Sequence, residues 1–330
     1  MATQPTDRKV DRLIRLLAEN ATVVMPGPKV AAHIGVSAST VWEWIERLRS
    51  YGVEIRGYPG IGYQLRKLPD LITPGMVHAE LGECEIGKKL IHYFVTDSTN
   101  AAALQFAAVG AAHGTVVVAE EQTEGRGRLG RSWYSEKGSG LYASIILRPS
   151  LPPSAAPILT LMAGVAAHHA VAEMCGLRPE IRWPNDLLLS GKKVAGILTE
   201  MNAELDRVHV VVLGIGLNVN HASMPPALAK TATSLRLETG HTHSRAHLLA
   251  ALLKQTECFY RLLLEEGSTA IAARWESASG FARDRRVRVL RNVGEARGTT
   301  QGIEPTGALR VRFDDGGEEA LTSGEVIEIK

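Results

Sequence analysis

Residues 181–198 read IRWPNDLLLSGKKVAGIL, and this segment decides the architecture that we expect for the middle of the chain. Two apolar runs flank Ser190-Gly191, a dipeptide typical of a tight turn, so the segment predicts a buried β-hairpin. The hairpin could hold Lys193 inward against a phosphate and Asp186 near a Mg²⁺. Two lysines at a solvated turn are the alternative that the spacing alone leaves open.

The region around this hairpin alternates between two kinds of secondary structure. Strand-like runs at residues 115–119, 141–147 and 208–213 alternate with helix-like runs at residues 100–109, 156–175 and 244–266. This alternation predicts an α/β or α+β core domain, which we place at residues 69–282. Residues 69–75 contain two prolines and are typical of a linker into that domain.

The chain before the linker shows the pattern of a winged helix-turn-helix, which we place at residues 1–68. The first helix has an apolar stripe at Val10, Leu13, Ile14 and Leu17. Ser37 is positioned to cap a third helix with a buried stripe of Val41, Ile45 and Leu48, and a short hairpin follows as the wing. The helix-turn-helix itself would span about residues 27–46.

The outward face of the third helix is a candidate DNA-binding surface. Residues 1–70 contain ten Lys/Arg and seven Asp/Glu, a modest positive balance that suits phosphate contacts without requiring them. A domain used only for protein contacts or regulation is the alternative. If the helix enters a major groove, we expect the DNA-binding residues to be Ser37, Ser39, Thr40, Trp44 and Arg47.

The last part of the chain has a different pattern, which we place at residues 283–330. Residues 286–290, 308–313 and 325–329 alternate between apolar and polar side chains with period two, and Gly and Asp clusters separate them. Alternation of this kind predicts short strands with one buried face. We therefore expect a small all-β barrel.

Residues 125–131, GRGRLGR, match the spelling G-x-G-x-x-G and were tested as a dinucleotide-binding motif. Five residues separate the preceding strand from the first glycine, and the following residues do not open a helix, so no βαβ unit forms. The segment instead predicts a glycine-hinged loop with three arginines that folds over an anion. A solvated basic loop is the alternative.

Two further polar segments are candidates for a binding pocket. Residues 214–220, GIGLNVN, follow a strand, and their glycines permit close approach of a ligand that Asn218 could hydrogen-bond. A plain strand-ending turn is the alternative. Residues 96–100, TDSTN, precede an Ala-rich helix, and five polar residues in a row exceed what capping requires.

Composition excludes several classes of protein. Hydrophobic residues are 45% of the 330, which is enough for a core, and a net charge of +2 excludes a uniformly polybasic protein. Three scattered cysteines without a CxxC pair argue against a disulfide framework and a zinc site. We find no signal-peptide pattern and no run near the ~18 apolar residues of a membrane helix. We therefore expect a cytoplasmic protein of two or three domains without a membrane partner.

Taken together and in this order, these segments resemble the bifunctional biotin protein ligase/biotin operon repressor family. The resemblance rests on DSTN at 97–100, EQ at 121–122, residues 125–131 with Trp133, WPND at 183–186, Lys193 with AGIL at 195–198, and GIGLN at 214–218. The winged helix and the terminal β-domain match the layout of this family, so the resemblance covers nearly the whole chain. Arg182 is a departure, because relatives often carry lysine there.

The fold that this resemblance implies is α+β and multidomain. It consists of an N-terminal winged helix-turn-helix, a central class II synthetase-like biotin/lipoate ligase core with a mixed sheet, and a C-terminal small SH3-like β-barrel.

The resemblance also implies a two-step reaction. The carboxylate of biotin attacks the α-phosphate of Mg·ATP, which gives biotinyl-5′-adenylate and pyrophosphate. A lysine of the biotin carboxyl carrier protein of acetyl-CoA carboxylase then displaces AMP. Since the substrate carboxylate is the nucleophile, the protein supplies positioning and charge stabilisation rather than a catalytic Ser or Cys. Mg²⁺ arrives with ATP, and no tightly bound metal is expected.

The resemblance assigns roles to particular residues. The expected catalytic residues are Lys193, Arg126 and Arg128. The expected biotin-binding residues are Ser98, Thr99, Asn100, Gln122, Arg126, Gly127, Arg128, Lys193 and Gly196. The expected ATP- or adenylate-binding residues are Arg131, Trp133, Asn185, Asn218, Gly214 and Gly216, with Asp186 as the candidate Mg²⁺ ligand.

The same resemblance implies that the adenylate-bound protein forms a homodimer and binds operator DNA as a repressor. Two alternatives were weighed against this interpretation. A ligand-sensing repressor with an inactive ligase domain is disfavoured by the intact arginine loop and Lys193. A lipoate-type ligase is disfavoured because the chain lacks the arginine pair and the His-Asp signature of that group.

Overall fold

A computed structural model describes residues 6, 8–204, 206–290 and 294–329. The first unit contains α1 (Arg8–Glu19), α2 (Gly27–Ile34), α3 (Ala38–Ser50), β1 (Glu54–Tyr58) and β2 (Gly62–Lys67). The apolar stripes predicted on α1 and α3 are buried in one common core. Ser37 caps α3, since its Oγ accepts a hydrogen bond from the backbone N–H of Thr40 at 3.1 Å. The predicted winged helix-turn-helix is confirmed.

The central unit is built around one seven-stranded sheet. Its strands are β3 (Leu90–Tyr93), β4 (Val116–Ala119), β5 (Gly140–Leu147), β6 (Glu180–Arg182), β7 (Asp186–Leu189), β8 (Lys192–Ala203) and β9 (Val208–Asn218). Their order is β3-β4-β5-β9-β8-β7-β6, with β3 parallel to β4 and every other neighbour antiparallel. The sheet is therefore mixed, as the resemblance implied, and β7–β8 is the predicted hairpin.

Helices cover both faces of this sheet. They are α4 (Pro74–Leu81), α5 (Thr99–Ala108), α6 (Pro157–Cys175), α7 (Leu235–Thr239), α8 (Arg245–Glu266) and α9 (Ser268–Ser277). Alternate residues of β4 point to opposite layers: Val116 and Val118 join the core under α6 and α8, while Val117 and Ala119 pack with α5. Both faces of β4 are buried, so its sequence is apolar throughout rather than alternating.

One helix among the described residues is long and apolar enough to cross a membrane by length and composition, namely residues 153–175. We expected no membrane-length helix, because Thr and His side chains interrupt the run of apolar residues. The average hydropathy of the segment nevertheless stays high enough to pass the test. The structure buries 67% of the apolar window inside the protein. The segment is thus the central core helix α6, which packs along α8.

The C-terminal unit is an antiparallel sheet of β10 (Arg283–Leu290), β11 (Glu295–Ile303), β12 (Leu309–Phe313), β13 (Glu318–Leu321) and β14 (Glu325–Glu328). The order is β13-β12-β11-β10-β14, and in the described part of the chain no ladder joins β13 to β14. In the described residues these five strands therefore form an open sheet, and the predicted closure into a barrel is not made by hydrogen bonds between β13 and β14. Three of the five strands coincide with the predicted runs.

The predicted linker at residues 69–75 is tied to the central unit by a buried charge network. Arg245, at the start of α8, is 0% exposed and donates to Glu120 at 2.7 Å and to Asp70 at 2.9 Å. Glu120 also accepts from the backbone N–H of Ile72 at 2.8 Å and lies 3.2 Å from His92 Nε2. The linker therefore supplies a counter-charge that the central unit requires.

The winged helix-turn-helix packs against the central unit at the end of α3. The ring of Tyr51 lies 4.3 Å from that of Phe94, centroid to centroid. On its other side, Lys137 Nζ lies 4.1 Å from the centroid of the Tyr51 ring and donates to the carbonyl of Ser50. The segment after the arginine loop thus contacts the C-terminal end of α3.

We predict that Glu120→Gln destabilises the protein by about 3–5 kcal/mol at pH 7, because a buried charge network loses one partner. Burial alone would raise the pKa of Glu120, but Arg245 and His92 outweigh it and lower the pKa to about 2. A depressed pKa stabilises the folded state above the unfolded pKa of about 4.5, and the stabilisation is lost as the pH falls toward 2. The difference in the free energy of unfolding between wild type and variant should therefore shrink as the pH falls from 4.5 toward 2.

Urea unfolding at pH 3 to 7 measures this difference. Glu85→Gln, which removes a carboxylate from an exposed pair with Lys88, is the matched control and should change stability far less. A difference between Glu120→Gln and wild type that is constant over this range would contradict the assigned role of Glu120.

Candidate active site

One cavity of about 290 Å³ lies where the four predicted segments of the central unit meet, and we call it the main cavity. Its walls come from the start of α5, the arginine loop, β7, β8 and β9, and the C-terminal strand β14. The predicted site residues that line it are Ser98, Thr99, Asn100, Gln122, Arg126, Gly127, Arg128, Arg131, Trp133, Asn185, Asp186, Lys193, Gly196, Gly214 and Gly216.

Three glycines form the floor of the main cavity. Gly196 on β8 pairs with Gly216 on β9, and Gly214 lies two residues earlier on β9. A Cβ on Gly216 would come 2.6 Å from Cε2 of Trp133, and one on Gly196 would come 2.9 Å from Cζ3 of the same ring. The glycines therefore let the Trp133 ring lie directly on the sheet, so the sequence G-I-G has a steric reason here.

Amide and hydroxyl groups line the end of the cavity next to α5. Thr99 donates to Gln122 Oε1 from its backbone N–H at 2.9 Å and from its hydroxyl at 3.1 Å. Gln122 Nε2 donates to Ser135 at 2.8 Å, and Ser144 donates to Asn100 Oδ1 at 2.6 Å. These mutual bonds fix the orientation of each group, which is what recognition of a polar ligand requires.

Charged groups line the opposite end. Asp186 accepts from Lys193 Nζ at 2.6 Å and from Arg182 at 2.8 Å, so one carboxylate is shared between two cations. Arg128 donates to Asn185 Oδ1 at 3.3 Å. Burial lowers the pKa of the Arg128 guanidinium, and Asp186 opposes that shift. The predicted hairpin β7–β8 thus brings Lys193 and Asp186 into direct contact, a pair that the sequence did not predict.

The charges of the lining residues favour an anionic ligand. Five cationic side chains line the main cavity, namely Arg126, Arg128, Arg131, Arg182 and Lys193, and the carboxylates are Asp186 and Glu325. This surplus of positive charge in a concave site attracts phosphate. Among the described residues no group of three His, Cys, Asp or Glu could hold a metal ion. Asp186 alone therefore suits a cation that arrives with its own phosphate ligands.

The arginine loop is folded back on itself over the cavity. The backbone N–H of Gly127 donates to the carbonyl of Arg131 at 2.7 Å, and Arg131 pairs with Glu325 of β14 at 2.6 Å. Arg128 is half-buried and faces Asn185, whereas Arg126 is exposed at the rim. The geometry therefore favours Arg128 over Arg126 as the guanidinium inside the cavity.

Asn218 is the one predicted ligand-binding residue that the structure places outside the main cavity. It is 3% exposed, and its amide donates to the carbonyl of Thr233 at 3.0 Å. This bond fits the alternative interpretation from the sequence, a structural residue at the end of a strand, and a ligand-binding role of Asn218 stays a prediction. Sequence reasoning missed Arg182 as a cavity residue, although its position before Trp183 was noted, and it missed Glu325, for which no motif existed.

The predicted DNA-binding residues separate into two groups. Ser37, Ser39 and Arg47 are exposed, and Thr40 is half-buried with its hydroxyl bonded to Ser37. Trp44 instead packs against the core of the winged helix domain, because it lies three residues after buried Val41 on the same helical face. Trp42, which is 55% exposed, occupies the outer face and was missed.

Comparison with known proteins gives consistent matches along the chain. The biotin/lipoate A/B protein ligase family matches residues 93–218, the biotin protein ligase C terminal domain matches residues 284–327, and an HTH domain matches residues 9–64. The bifunctional ligase/repressor BirA of Bacillus subtilis is 39% identical over 92% of this chain and 94% of its own. BirA of Escherichia coli is 30% identical over 95% of this chain and 97% of its own.

A solved structure shares the central and C-terminal architecture. The biotin protein ligase from Aquifex aeolicus, in complex with biotin and ATP, superposes with a TM-score of 0.63 at 29% identity. The match covers 74% of this chain and 99% of the Aquifex chain.

We predict that Gly214→Ala lowers the free energy of unfolding by about 1–3 kcal/mol, the usual cost of an overpacked core. The added Cβ would overlap Asn100 Oδ1, which already bonds Ser144. Adding Asn100→Ala removes the overlap, so the double variant should lose less stability than the sum of the two single variants. Denaturant unfolding measures the stability of the two single variants and the double variant. Gly27→Ala is the control, because a Cβ at Gly27 meets only an ordinary contact at 3.5 Å. Additive losses would contradict the predicted overlap.

Proposed function

This chain belongs to the bifunctional biotin protein ligase/repressor family, and from that premise we propose that it couples biotin to a carrier protein and represses transcription. It forms biotinyl-5′-adenylate from biotin and Mg·ATP and transfers the biotinyl group to a lysine of the biotin carboxyl carrier protein. The observation that carries the enzymatic part is the main cavity, where amides line one end, Lys193, Arg182 and Arg128 line the other, and five cationic side chains line the cavity in all.

The polar end of the main cavity is where we assign the ureido ring of biotin. Ser98, Thr99 and Gln122 present donors and acceptors there, held by the bonds of Thr99 to Gln122 at 2.9 and 3.1 Å. A site built of such groups rejects a fatty or lipoyl acid, because its buried polar atoms would remain unpaired. The valeryl chain then runs past the Trp133 ring, which covers Gly196 and Gly216, toward Lys193.

The cationic end is where we assign the phosphates. The biotin carboxylate attacks the α-phosphorus, the bond from phosphorus to the bridging oxygen breaks, and pyrophosphate leaves. Negative charge develops on the non-bridging oxygens, and Lys193 and Arg128 stabilise it. Removing one such donor typically raises the barrier by ~3–4 kcal/mol. Mg²⁺ enters as part of the substrate Mg·ATP, and Asp186 is its candidate carboxylate ligand, released from Lys193 as the phosphates bind.

The arginine loop and Trp133 protect the product of this step. Trp133 lies on Gly196 and Gly216, and the loop above it is tied to β14 by the Arg131–Glu325 pair at 2.6 Å. A mixed anhydride hydrolyses readily, so an ordered loop that excludes water preserves it for the carrier lysine.

The repressor role depends on the winged helix-turn-helix. Ser39 and Arg47 on the outer face of α3 are exposed and free of the domain core. Formation of the adenylate promotes a homodimer, and the dimer places two α3 helices on a two-fold operator.

We predict that Lys193→Ala lowers the rate of adenylate formation about 10²–10³-fold, because a charge donor to the transferring phosphate is lost. Pyrophosphate release from Mg·ATP with biotin measures the rate, with lipoate and no acid run alongside. The matched control is Lys192→Ala, since this adjacent lysine does not line the main cavity. Near-normal turnover in Lys193→Ala would remove this lysine from the reaction, and release with lipoate equal to that with biotin would contradict the assigned substrate.

We predict that Arg47→Ala weakens binding of the adenylate-bound protein to biotin-gene operator DNA and lowers the slope of log K against log salt by about one. Titration of a labelled duplex at several salt concentrations measures both quantities. Arg310→Ala, an exposed arginine on β12 of the C-terminal sheet, is the control and should leave both unchanged. Equal binding of wild type to operator and random duplex would contradict the repressor role.

A further inference from the structure

A second cavity of about 220 Å³ lies next to the main cavity, and we call it the side cavity. The two share one wall, formed by Arg128, Trp183, Pro184, Asn185 and Ile197. Beyond that wall the side cavity extends between the start of α6 and the second half of β8, with Gly307 and Thr322 of the C-terminal unit opposite. Sequence analysis assigned no function to its remaining lining residues.

The proposed reaction needs a second entrance to the main cavity. Its volume of about 290 Å³ is that of a small-ligand site, and the adenylate fills the path from the amide end to the cationic end. In the arrangement proposed above, the acyl carbon lies between these ends, where Arg128 lines both cavities. An amine on another protein must reach this carbon from a direction that the adenylate does not occupy.

The side cavity has the shape and polarity for one extended alkyl chain. Pro157 and Met201 provide apolar contact, and the hydroxyls of Thr160 and Thr199 bond each other at 2.7 Å. The four methylenes of a lysine side chain bury favourably against such a surface. Met201 is 48% exposed, so the side cavity reaches the surface of the protein there.

The electrostatics of the side cavity favour an uncharged amine. None of the described residues lining it carries a carboxylate, whereas Arg128 lines its inner end. Positive surroundings lower the pKa of an entering ammonium group, and only the free base is nucleophilic.

We propose that the side cavity is the channel through which the acceptor lysine of the carrier protein reaches the biotinyl-adenylate. The ε-amine attacks the acyl carbon, a C–N bond forms, and the bond from that carbon to the phosphate oxygen breaks. AMP leaves with the electron pair, and the two protons that the ammonium loses pass to solvent. This proposal rests on the proposed ligase function and adds the route of its second substrate.

The test narrows the channel without touching the main cavity. Thr199→Phe and Met201→Trp enlarge two side chains that line the side cavity only, while Thr199→Val keeps the volume and Asn202→Trp adds an exposed ring one residue further along β8. Each full-length protein is loaded with adenylate from biotin and Mg·ATP. Pyrophosphate release measures adenylate formation. Transfer is measured in a single turnover, either to a purified biotin carboxyl carrier domain or to hydroxylamine, a nucleophile small enough to bypass the narrowed channel.

We expect both enlarged variants to form adenylate within about twofold of wild type and to transfer biotin to the carrier about tenfold or more slowly. Hydroxylamine should consume their adenylate within about threefold of the wild-type rate, and both controls should behave as wild type. Carrier transfer at the wild-type rate in both variants would overturn the channel, as would an equal loss in Asn202→Trp. If Thr199→Phe fails to fold, Met201→Trp decides the question. Absence of adenylate in wild type would instead refute the ligase function itself.

Discussion

The interaction on which the rest of this structure depends is the burial of one guanidinium. Arg245 has no exposed surface, so its charge needs counter-charges in fixed positions, and Glu120 and Asp70 provide them at 2.7 and 2.9 Å. Glu120 follows directly on β4, and Gln122 comes two residues later in the main cavity. The network therefore sets where β4 ends and where the polar end of the active site begins. Asp70 brings the segment after the winged helix into the same constraint.

The sequence predicted those features that rest on local patterns. Helical spacing identified the buried stripes of α1 and α3, and turn chemistry identified the hairpin that brings Lys193 to Asp186. Residues 125–131 were correctly predicted not to be a dinucleotide-binding motif, because no strand directly precedes them and no helix directly follows. These predictions succeeded because each depends on residues within one or two elements of secondary structure. Residue roles that came from family resemblance rather than from pattern remain proposals.

The features that sequence reasoning missed depend on contacts between distant segments. Nothing near Glu325 indicates that β14 would complete a cavity built by residues 98 to 216, where Glu325 pairs with Arg131. Asn218 follows a glycine motif and looked like a ligand contact, yet its amide bonds Thr233. Trp44 looked available for DNA, but its helical face is that of Val41. Strands β11 and β13 contain glycines or successive glutamates, which hide the alternation of their buried positions.

The placement of Asp70 has a consequence for dissecting this protein into parts. The matched family segments end at residue 64 and resume at residue 93, so a cut anywhere between them looks permissible from similarity alone. A truncation after residue 72 would leave the buried Arg245 with one counter-charge and remove the backbone N–H of Ile72 from Glu120. A free-standing catalytic fragment must therefore start before Asp70. Exchange of the winged helix for another domain keeps this charge network intact only where these few linker residues stay with the enzyme.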